Sequence, residues 1–255
     1  MIDSSGSEAR LKTVSDELFH SLKFNLQFTS ATYYRIMAGD LFEESKIIYL
    51  DSDIIVDGSL MELWDMDLED CPLAAVTDPL IKDFHRLDLS PAQGYFNSGI
   101  MLLNLDRWRA IGLGEQVLSY IKNFPDKIQY ADQCGLNAIL KGNWKRLAPK
   151  WNVQSSFLEK ESCEDCKKAF SENELKEAQS EPKVIHYTGT IKPWNLGSRH
   201  PKKQLFWNYL IQTPFKRRLP LDFSLVNLIK SLFPLAVKKY YWRRLHRKQG
   251  ALALF

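Results

Sequence analysis

Two aspartates separated by one residue, Asp51 and Asp53, follow the apolar run IIYL in the stretch KIIYLDSDIIV. Carboxylates this close repel each other unless a cation lies between them. In open α/β sheets, ligands bind at the carboxyl ends of strands, which is where both residues lie if IIYL forms a strand. The pattern therefore predicts a divalent metal site with Asp51 and Asp53 as oxygen ligands.

A DxD pair alone is a weak signal, and the chain contains a second pair for comparison. Asp65 and Asp67, in the stretch WDMD, are not preceded by an apolar run that reads as a strand. We therefore predict that this second pair lies in a surface turn.

The elements that must position the first pair follow an α/β pattern. Short, continuous apolar runs predict strands buried on both faces, and longer runs with helical spacing separate them. The predicted strands are KIIYL, CPLAAVTD, FNSGIMLLNL and PKVIHY. The predicted helices are SATYYRIMAGDLF, GEQVLSYIKNF and DQCGLNAILKG, the first and last with N-caps at Ser30 and Asp132. We expect an α/β fold with a mostly parallel sheet, in which the charged segment 155–182 is a surface excursion with one exposed helix.

Five motifs, in order over residues 32–194, resemble those of glycosyltransferase family 8. They are TYYRIMAGDLF, IIYLDSDIIV, YFNSGIMLLNL, YADQCGLN and IHYTGTIKPW. The resemblance implies a Rossmann-like nucleotide-diphospho-sugar transferase fold of the GT-A type. It also implies a retaining hexosyltransferase that moves glucose or galactose from a uridine diphosphate (UDP) sugar to a lipopolysaccharide or related surface glycan.

The resemblance adds His186 as a third metal ligand beside Asp51 and Asp53, with Ser52 also at the donor. Oxygen and imidazole ligands together favour Mn²⁺, with Mg²⁺ as the alternative. Without the adjoining TGTIKPW, His186 would read as a hydrogen-bonded core histidine. In that stretch Gly189 permits close approach of a phosphate, and Lys192 offers a positive charge to it.

The resemblance also implies a set of polar residues that contact the donor sugar through its hydroxyl groups. They are Arg35, Asp78, Asn97, Ser98, Asp132 and Gln133. Asp132 and Gln133 are the candidate catalytic residues, and Asp132 could also act as a helix N-cap. An amide oxygen is a poor nucleophile, so we expect Gln133 to stabilise positive charge on the sugar in a front-face reaction.

The residues at the two ends of the chain lead to separate expectations. Residues 1–14 match only the end of the region that binds the nucleotide in this family, with LKTV as a strand. We therefore expect an N-terminally truncated fold, with weak or undetectable donor binding if the chain is complete. A catalytically impaired paralogue is an alternative function. A phosphohydrolase of the haloacid dehalogenase type is a further alternative, although no convincing downstream lysine and acidic pair accompany the DxD.

Charge is unevenly distributed along the chain, whose net charge is +3. Ten of the 34 basic residues, but only one of the 31 acidic residues, lie after Pro214. We predict a catalytic domain over residues 1–213 and a basic, aromatic tail over 214–255. The stretch KKYYWRRLHRK, residues 238–248, suits an anionic membrane surface, with RNA as the less favoured partner.

No apolar run approaches the roughly 20 residues of a spanning helix, and the N-terminus has no signal-peptide pattern. Four irregularly spaced cysteines suit a reducing compartment. The single CxxC, Cys163 and Cys166, has no second ligand pair at the spacing that a closed zinc site needs. We expect a cytoplasmic protein associated peripherally with the inner face of the membrane.

Overall fold

The computed structural model describes residues 8–15, 30–158, 164–216 and 219–232. Within these ranges the chain forms seven short strands, and each of the four predicted apolar runs contains one of them. The strands are β1 (Lys46–Leu50), β2 (Ile54–Val56), β3 (Leu73–Thr77), β4 (Phe96–Asn104), β5 (Lys145–Arg146), β6 (Val153–Gln154) and β7 (Val184–His186).

Nine α-helices lie in the same described ranges, together with short 3₁₀ segments. The α-helices are α1 (Ala38–Leu41), α2 (Met61–Trp64), α3 (Leu105–Ala110), α4 (Leu113–Asn123), α5 (Ala131–Leu140), α6 (Glu164–Ala169), α7 (Glu172–Ser180), α8 (Lys203–Leu210) and α9 (Leu225–Leu232). The 3₁₀ segments are Ser30–Met37, His85–Leu87, Pro125–Lys127, Pro149–Trp151 and Ser155–Leu158. The helix predicted from SATYYRIMAGDLF is thus mostly 3₁₀ and ends in the short α1.

The strands form two sheets, in the orders β1-β4-β3-β5 and β2-β7-β6. The prediction of a mostly parallel sheet is wrong for the described strands, because three of their five pairings are antiparallel. A continuous apolar run indicates that both faces of a strand are covered. It carries no information on the direction of the neighbouring strand.

The central strands β3 and β4 divide the core into two clusters. Along β4, Met101 and Leu103 join one cluster with α4 and α5, whereas Ile100 and Leu102 join the other. The alternation follows from the two-residue period of a strand, which sends successive side chains to opposite faces. The sheet is therefore covered on both sides, as the apolar runs predicted.

The segment 155–182 is more than the predicted surface excursion. Its described part contains two α-helices, α6 and α7, and apolar residues in and beside them belong to the core cluster that contains Ile100 and Leu102. These buried residues include Cys166, Phe170, Leu175 and Ala178. The segment is rich in charge because its outer face is exposed, while a few well-spaced apolar residues suffice to anchor it. Cys163 of the CxxC lies outside the described residues.

Residues 11–14, LKTV, do not form the predicted strand. Leu11 is 95% exposed, so the segment lacks the burial that stabilises a strand. The described residues fall into two compact units, which divide between His186 and Tyr187. The predicted boundary at residues 213 and 214 stays a prediction, since residues 233–255 lie outside the described part. No helix of the described residues is both long and apolar enough to cross a membrane.

Candidate functional site

Asp51 and Asp53 lie in the turn that links β1 of the first sheet to β2 of the second. The backbone N–H of Asp51 donates to the carbonyl of Gly99 at 2.8 Å, which continues the pairing of β1 with β4 by one residue. Both aspartates are partly buried, whereas Ser52 between them is exposed. The turn therefore holds two carboxylates at the junction of the sheets.

His186 ends β7, where its backbone pairs with Ile54 of β2. Its Nε2 atom lies 3.2 Å from Oδ1 of Asp53 and 3.9 Å from Oδ2 of Asp51. One ligand atom from each of the three side chains falls within 4.8 Å of the others. Two carboxylate oxygens and one imidazole nitrogen at this spacing could hold a single divalent cation.

Arg35 joins two carboxylates that are far apart in sequence. Its Nη2 atom lies 2.8 Å from Oδ1 of Asp51, and its Nε atom lies 3.1 Å from Oδ2 of Asp132. Nη1 donates to the carbonyl oxygen of Ser98 at 2.6 Å. Burial disfavours the charge on Arg35, but Asp132 and Asp51 outweigh this cost and raise its pKa above the ordinary value. Arg35 is thus an ion-paired, buried residue at the centre of the site.

Asp132 is not the N-cap of α5 that the sequence suggested. The helix begins at Ala131 after Tyr130, no side chain caps it, and Asp132 lies within its first turn. The Asp132 carboxyl group is 1% exposed, and burial raises its pKa to about 6 against the opposing effect of Arg35. Aspartate is common at helix N-caps, which is why the sequence suggested that role. In the structure the Asp132 carboxylate pairs with Arg35 instead.

The remaining predicted sugar-binding residues form a buried polar cluster. Asn97 Nδ2 donates to Oδ2 of Asp78 at 3.1 Å, and Gln133 Nε2 donates to the same oxygen at 3.5 Å. The backbone N–H of Ser98 donates to Oε1 of Gln133 at 3.0 Å. Burial raises the pKa of Asp78, against the hydrogen bonds from Asn97 and Gln133. β3, β4 and α5 therefore bring these four residues together.

Gly189 and Lys192 belong to the second compact unit. Gly189 has φ of 90°, and a Cβ atom added there would meet nothing within 4 Å. Glycine is therefore favoured at this position by the backbone conformation and not by a lack of space. Lys192 Nζ donates to the carbonyl of Tyr187 at 2.7 Å. Their predicted contact with a phosphate stays a prediction.

The second DxD pair lies at the surface, as predicted. Asp65 and Asp67 follow α2 and are exposed, and Asp67 accepts a hydrogen bond from the backbone N–H of Glu69 at 2.8 Å. No His, Cys, Asp or Glu of the described residues joins them in a metal-sized cluster. The pair is a surface turn.

Three residues of the site were missed from the sequence. Tyr49 donates from its hydroxyl to Oδ1 of Asp51 at 2.7 Å, and the guanidinium of Arg35 lies 4.4 Å from the centre of its ring. Asn152, which is completely buried, lies beside His186. Gly99 leaves room for the His186 ring. Tyr49 could have been found from its place two residues before Asp51, which puts both side chains on the same face of the strand. Asn152, in KWNVQ, carries no local signal.

Comparison with known proteins identifies related sequences. The model of "Glycosyl transferase family 8" matches residues 6–196. General stress protein A of Bacillus subtilis is 32% identical over 191 residues, which are 72% of this chain and 66% of that protein. Glycosyltransferase GlyB of Streptococcus pneumoniae is 34% identical over 78% of this chain and 49% of its own length. Lipopolysaccharide 1,2-glucosyltransferase of Escherichia coli is 30% identical over 84% of this chain and 64% of its own length. The chain thus spans about half to two thirds of these relatives.

Solved structures agree with the sequence relatives. The galactosyltransferase LgtC, in complex with donor and acceptor sugar analogs, superposes with a TM-score of 0.71 at 25% identity, covering 80% of this chain and 75% of LgtC. Glycosyltransferase GlyE of Streptococcus pneumoniae shares the fold with a TM-score of 0.56 at 23% identity, covering 87% of this chain and 48% of GlyE. The predicted α/β fold of the GT-A type is thereby confirmed. With the family model matching residues 6–196, the chain belongs to glycosyltransferase family 8.

Proposed function

We propose that this glycosyltransferase is a metal-dependent, retaining hexosyltransferase. Its donor would be a UDP-sugar carrying glucose or galactose, and its acceptor a lipopolysaccharide or related surface glycan. The observation that carries the proposal is the meeting of Asp51, Asp53 and His186 within 4.8 Å of one another. Family membership removes the phosphohydrolase as an alternative.

Asp51, Asp53 and His186 would hold the cation, Mn²⁺ or Mg²⁺. When bound there, it supplies positive charge that stabilises the departing diphosphate. Arg35 and Tyr49 both contact Oδ1 of Asp51, which leaves Oδ2 for the ion and fixes the orientation of the carboxylate. Gly189 and Lys192 are proposed as phosphate contacts, on the basis of the positive φ of Gly189 and the charge of Lys192.

Asp78, Asn97, Ser98, Asp132 and Gln133 are proposed to bind the hydroxyl groups of the donor sugar. These five residues are all at least nine-tenths buried, so their polar groups are shielded from water. A hydroxyl group of the sugar would form hydrogen bonds with them in place of water. A sugar that failed to pair with them would leave buried polar groups unsatisfied, which makes such clusters selective. Arg35 holds Asp132 in place for this purpose.

Transfer is proposed to proceed on the front face of the sugar. The acceptor oxygen bonds to the anomeric carbon as the bond to the diphosphate oxygen breaks, and the acceptor proton passes to the leaving phosphate. Oε1 of Gln133 accepts the N–H of Ser98, and Asp132 is paired with Arg35. These contacts favour stabilising roles for both residues. A covalent sugar adduct trapped on Gln133 or Asp132 during turnover would overturn this mechanism.

The acceptor is proposed to reach the site at an anionic membrane surface on the cytoplasmic side. The basic and aromatic residues 238–248 support this role by composition, although they lie outside the described residues. Large exposed apolar side chains nearby in sequence add to it, including Phe215, Leu221 and Leu225. The Escherichia coli relative is a lipopolysaccharide 1,2-glucosyltransferase, which supports a lipopolysaccharide acceptor for this chain.

Donor hydrolysis tests the proposed function. The full chain should release UDP from UDP-glucose or UDP-galactose in the presence of Mn²⁺, and excess EDTA should abolish the release. Asp53→Asn removes one ligand and should lower the rate by about 100-fold or more. Asp65→Asn, in the exposed second DxD pair, is the matched control and should leave the rate unchanged.

Two outcomes would contradict the proposal in different ways. A rate that is equal with and without EDTA would reject metal dependence. Absence of hydrolysis with every UDP-sugar tested, in a chain that still binds Mn²⁺, would favour the alternative of a catalytically impaired paralogue.

A further inference from the structure

A chain of four buried side chains leads from the proposed sugar pocket to the proposed metal site. Asn97 Nδ2 donates to Asp78 Oδ2 at 3.1 Å, and Asn152 Nδ2 donates to Asn97 Oδ1 at 2.9 Å. Oδ1 of Asn152 lies 3.1 Å from Nδ1 of His186. All four side chains are at least nine-tenths buried, so exchange of these contacts for water is disfavoured.

One backbone N–H group fixes which atoms donate and which accept along this series of hydrogen bonds. The N–H of Gly99 donates to Asn97 at 3.0 Å, and a backbone N–H cannot accept, so the Asn97 atom that it meets must be the carbonyl oxygen. The NH₂ group of Asn97 then faces Asp78. This assignment holds whether or not the Asp78 carboxyl group carries a proton.

The orientation of Asn97 in turn orients Asn152. Because the Asn97 oxygen accepts, Asn152 must present its NH₂ group to it and its own carbonyl oxygen to His186. A carbonyl oxygen can only accept, so the proton of the His186 ring is held on Nδ1. Nε2 is then the ring nitrogen on the side of the proposed metal site, 3.2 Å from Oδ1 of Asp53.

We propose that Asn152 is a positioning residue of the metal centre. It holds His186 with Nδ1 protonated, so that Nε2 is the nitrogen offered to a divalent cation. The proposal rests on the proposed metal dependence and adds to it a residue that touches neither metal nor substrate. Hydrogen bonding to the second ring nitrogen is a general means of orienting a histidine ligand and increasing its basicity.

Two substitutions of Asn152 separate positioning from a merely structural role. Asn152→Leu has a similar size and fills the space without offering an acceptor. Asn152→Asp keeps an acceptor for Nδ1 but places a buried carboxylate against the oxygen of Asn97. If the role of Asn152 is only structural, Asn152→Asp should lose more than Asn152→Leu in both stability and metal affinity. If Asn152 positions His186, Asn152→Asp should lose more stability, whereas Asn152→Leu should lose more metal affinity.

Metal affinity is measured with Mn²⁺ alone, by electron paramagnetic resonance titration of the full chain, and stability by thermal unfolding. We expect Asn152→Leu to weaken Mn²⁺ binding by about 10- to 100-fold. Asn152→Asp should retain binding within a few-fold of the original, despite a lower unfolding temperature. Gln154→Leu is the matched control, because Gln154 is buried two residues away and its side chain donates to the carbonyl of Thr77. Its Mn²⁺ affinity should not change.

The position of the ring proton is tested without metal. In long-range ¹H–¹⁵N spectra of the metal-free, histidine-labelled chain, His186 is assigned by the loss of its signals in His186→Gln. We expect a proton on Nδ1, and we expect Asn152→Leu to shift it to Nε2.

An unprotonated Nδ1 in the original chain would overturn the inference, as would unchanged Mn²⁺ affinity in Asn152→Leu. Failure of the original chain to bind Mn²⁺ at all would instead overturn the proposed metal dependence, and the spectra would still decide the role of Asn152.

Discussion

At the scale of single residues, the site depends on one position where a side chain is absent. Gly99 lies in β4, beside the His186 ring and the Asn97 carbonyl oxygen. A Cβ atom at Gly99 would lie 2.2 Å from Cε1 and 2.6 Å from Nδ1 of His186, far inside van der Waals contact. Glycine is needed here for close approach of the ring, since its φ is not in the left-handed region.

Gly99→Ala is therefore expected to displace the His186 ring and to disrupt the metal site. We expect Mn²⁺ affinity to fall by at least about 10-fold, with a loss of about 1–3 kcal/mol in the free energy of unfolding from overpacking. Calorimetric titration with Mn²⁺ and urea denaturation measure the two effects. Gly197→Ala is the control, because a Cβ atom there meets nothing within 4 Å and the backbone is not strained. Normal Mn²⁺ binding by Gly99→Ala would show that His186 is not a ligand.

At the scale of elements, an aromatic cluster joins the first residues of the second compact unit to α8. Tyr187 contacts His200 and Phe206, with ring centres 4.6 and 6.3 Å apart, and its hydroxyl donates to the carbonyl of Lys202 at 3.0 Å. The backbone N–H of Lys202 donates to Nδ1 of His200 at 3.2 Å. This contact requires an unprotonated Nδ1, and burial lowers the pKa of His200 to about 4.

The lowered pKa of His200 predicts how stability depends on pH. Between about pH 6.5 and pH 4 the unfolded chain binds a proton that the folded chain does not, so this contribution to stability is complete above 6.5 and declines as the pH falls. The unfolding temperature of the original chain should therefore drop between pH 7.5 and pH 5 by a few degrees more than that of His200→Gln. The exposed His85→Gln is the control and should follow the original chain. Identical pH profiles for the original chain and His200→Gln would contradict this account.

At the scale of the whole molecule, charge is separated along the sequence. The chain carries ten basic residues and one acidic residue after Pro214, although its net charge is only +3. The earlier residues are therefore net acidic, and an anionic membrane would attract one end of the sequence and repel the rest. If the proposed membrane association holds, such a distribution would favour a defined orientation, with the basic residues towards the lipid.

Vesicle flotation tests this orientation with two matched pairs of substitutions in the full chain. Arg243→Gln with Arg244→Gln removes two charges from the tail and should weaken binding to phosphatidylserine vesicles by about 30-fold, at about 1 kcal/mol for each charge. Lys167→Gln with Lys168→Gln removes two exposed charges from α6 and should not weaken it. Equal affinity of the two variants would reject the tail as the membrane contact. Competition by single-stranded RNA at low concentration would favour the alternative partner.

The sequence by itself determined four of the seven described strands, and the family. Apolar runs placed β1, β3, β4 and β7, and five ordered motifs indicated glycosyltransferase family 8, which the family model confirms. The pairing of Asp51 with Asp53, and its contrast with Asp65 and Asp67, was also evident. These features depend on residues close in sequence, where backbone geometry and burial leave a periodic pattern.

Only the tertiary structure decided strand direction, the burial of α6 and α7, and the partners of the polar residues. Asp132 pairs with Arg35 instead of capping α5, and Asn152 lies beside both His186 and Asn97. Arg35 and Ser98 are 63 residues apart, and Asn97 and Asn152 are 55 apart. Contacts over such separations arise when sheets and helices pack, and a local sequence pattern does not encode which buried polar groups will then satisfy one another.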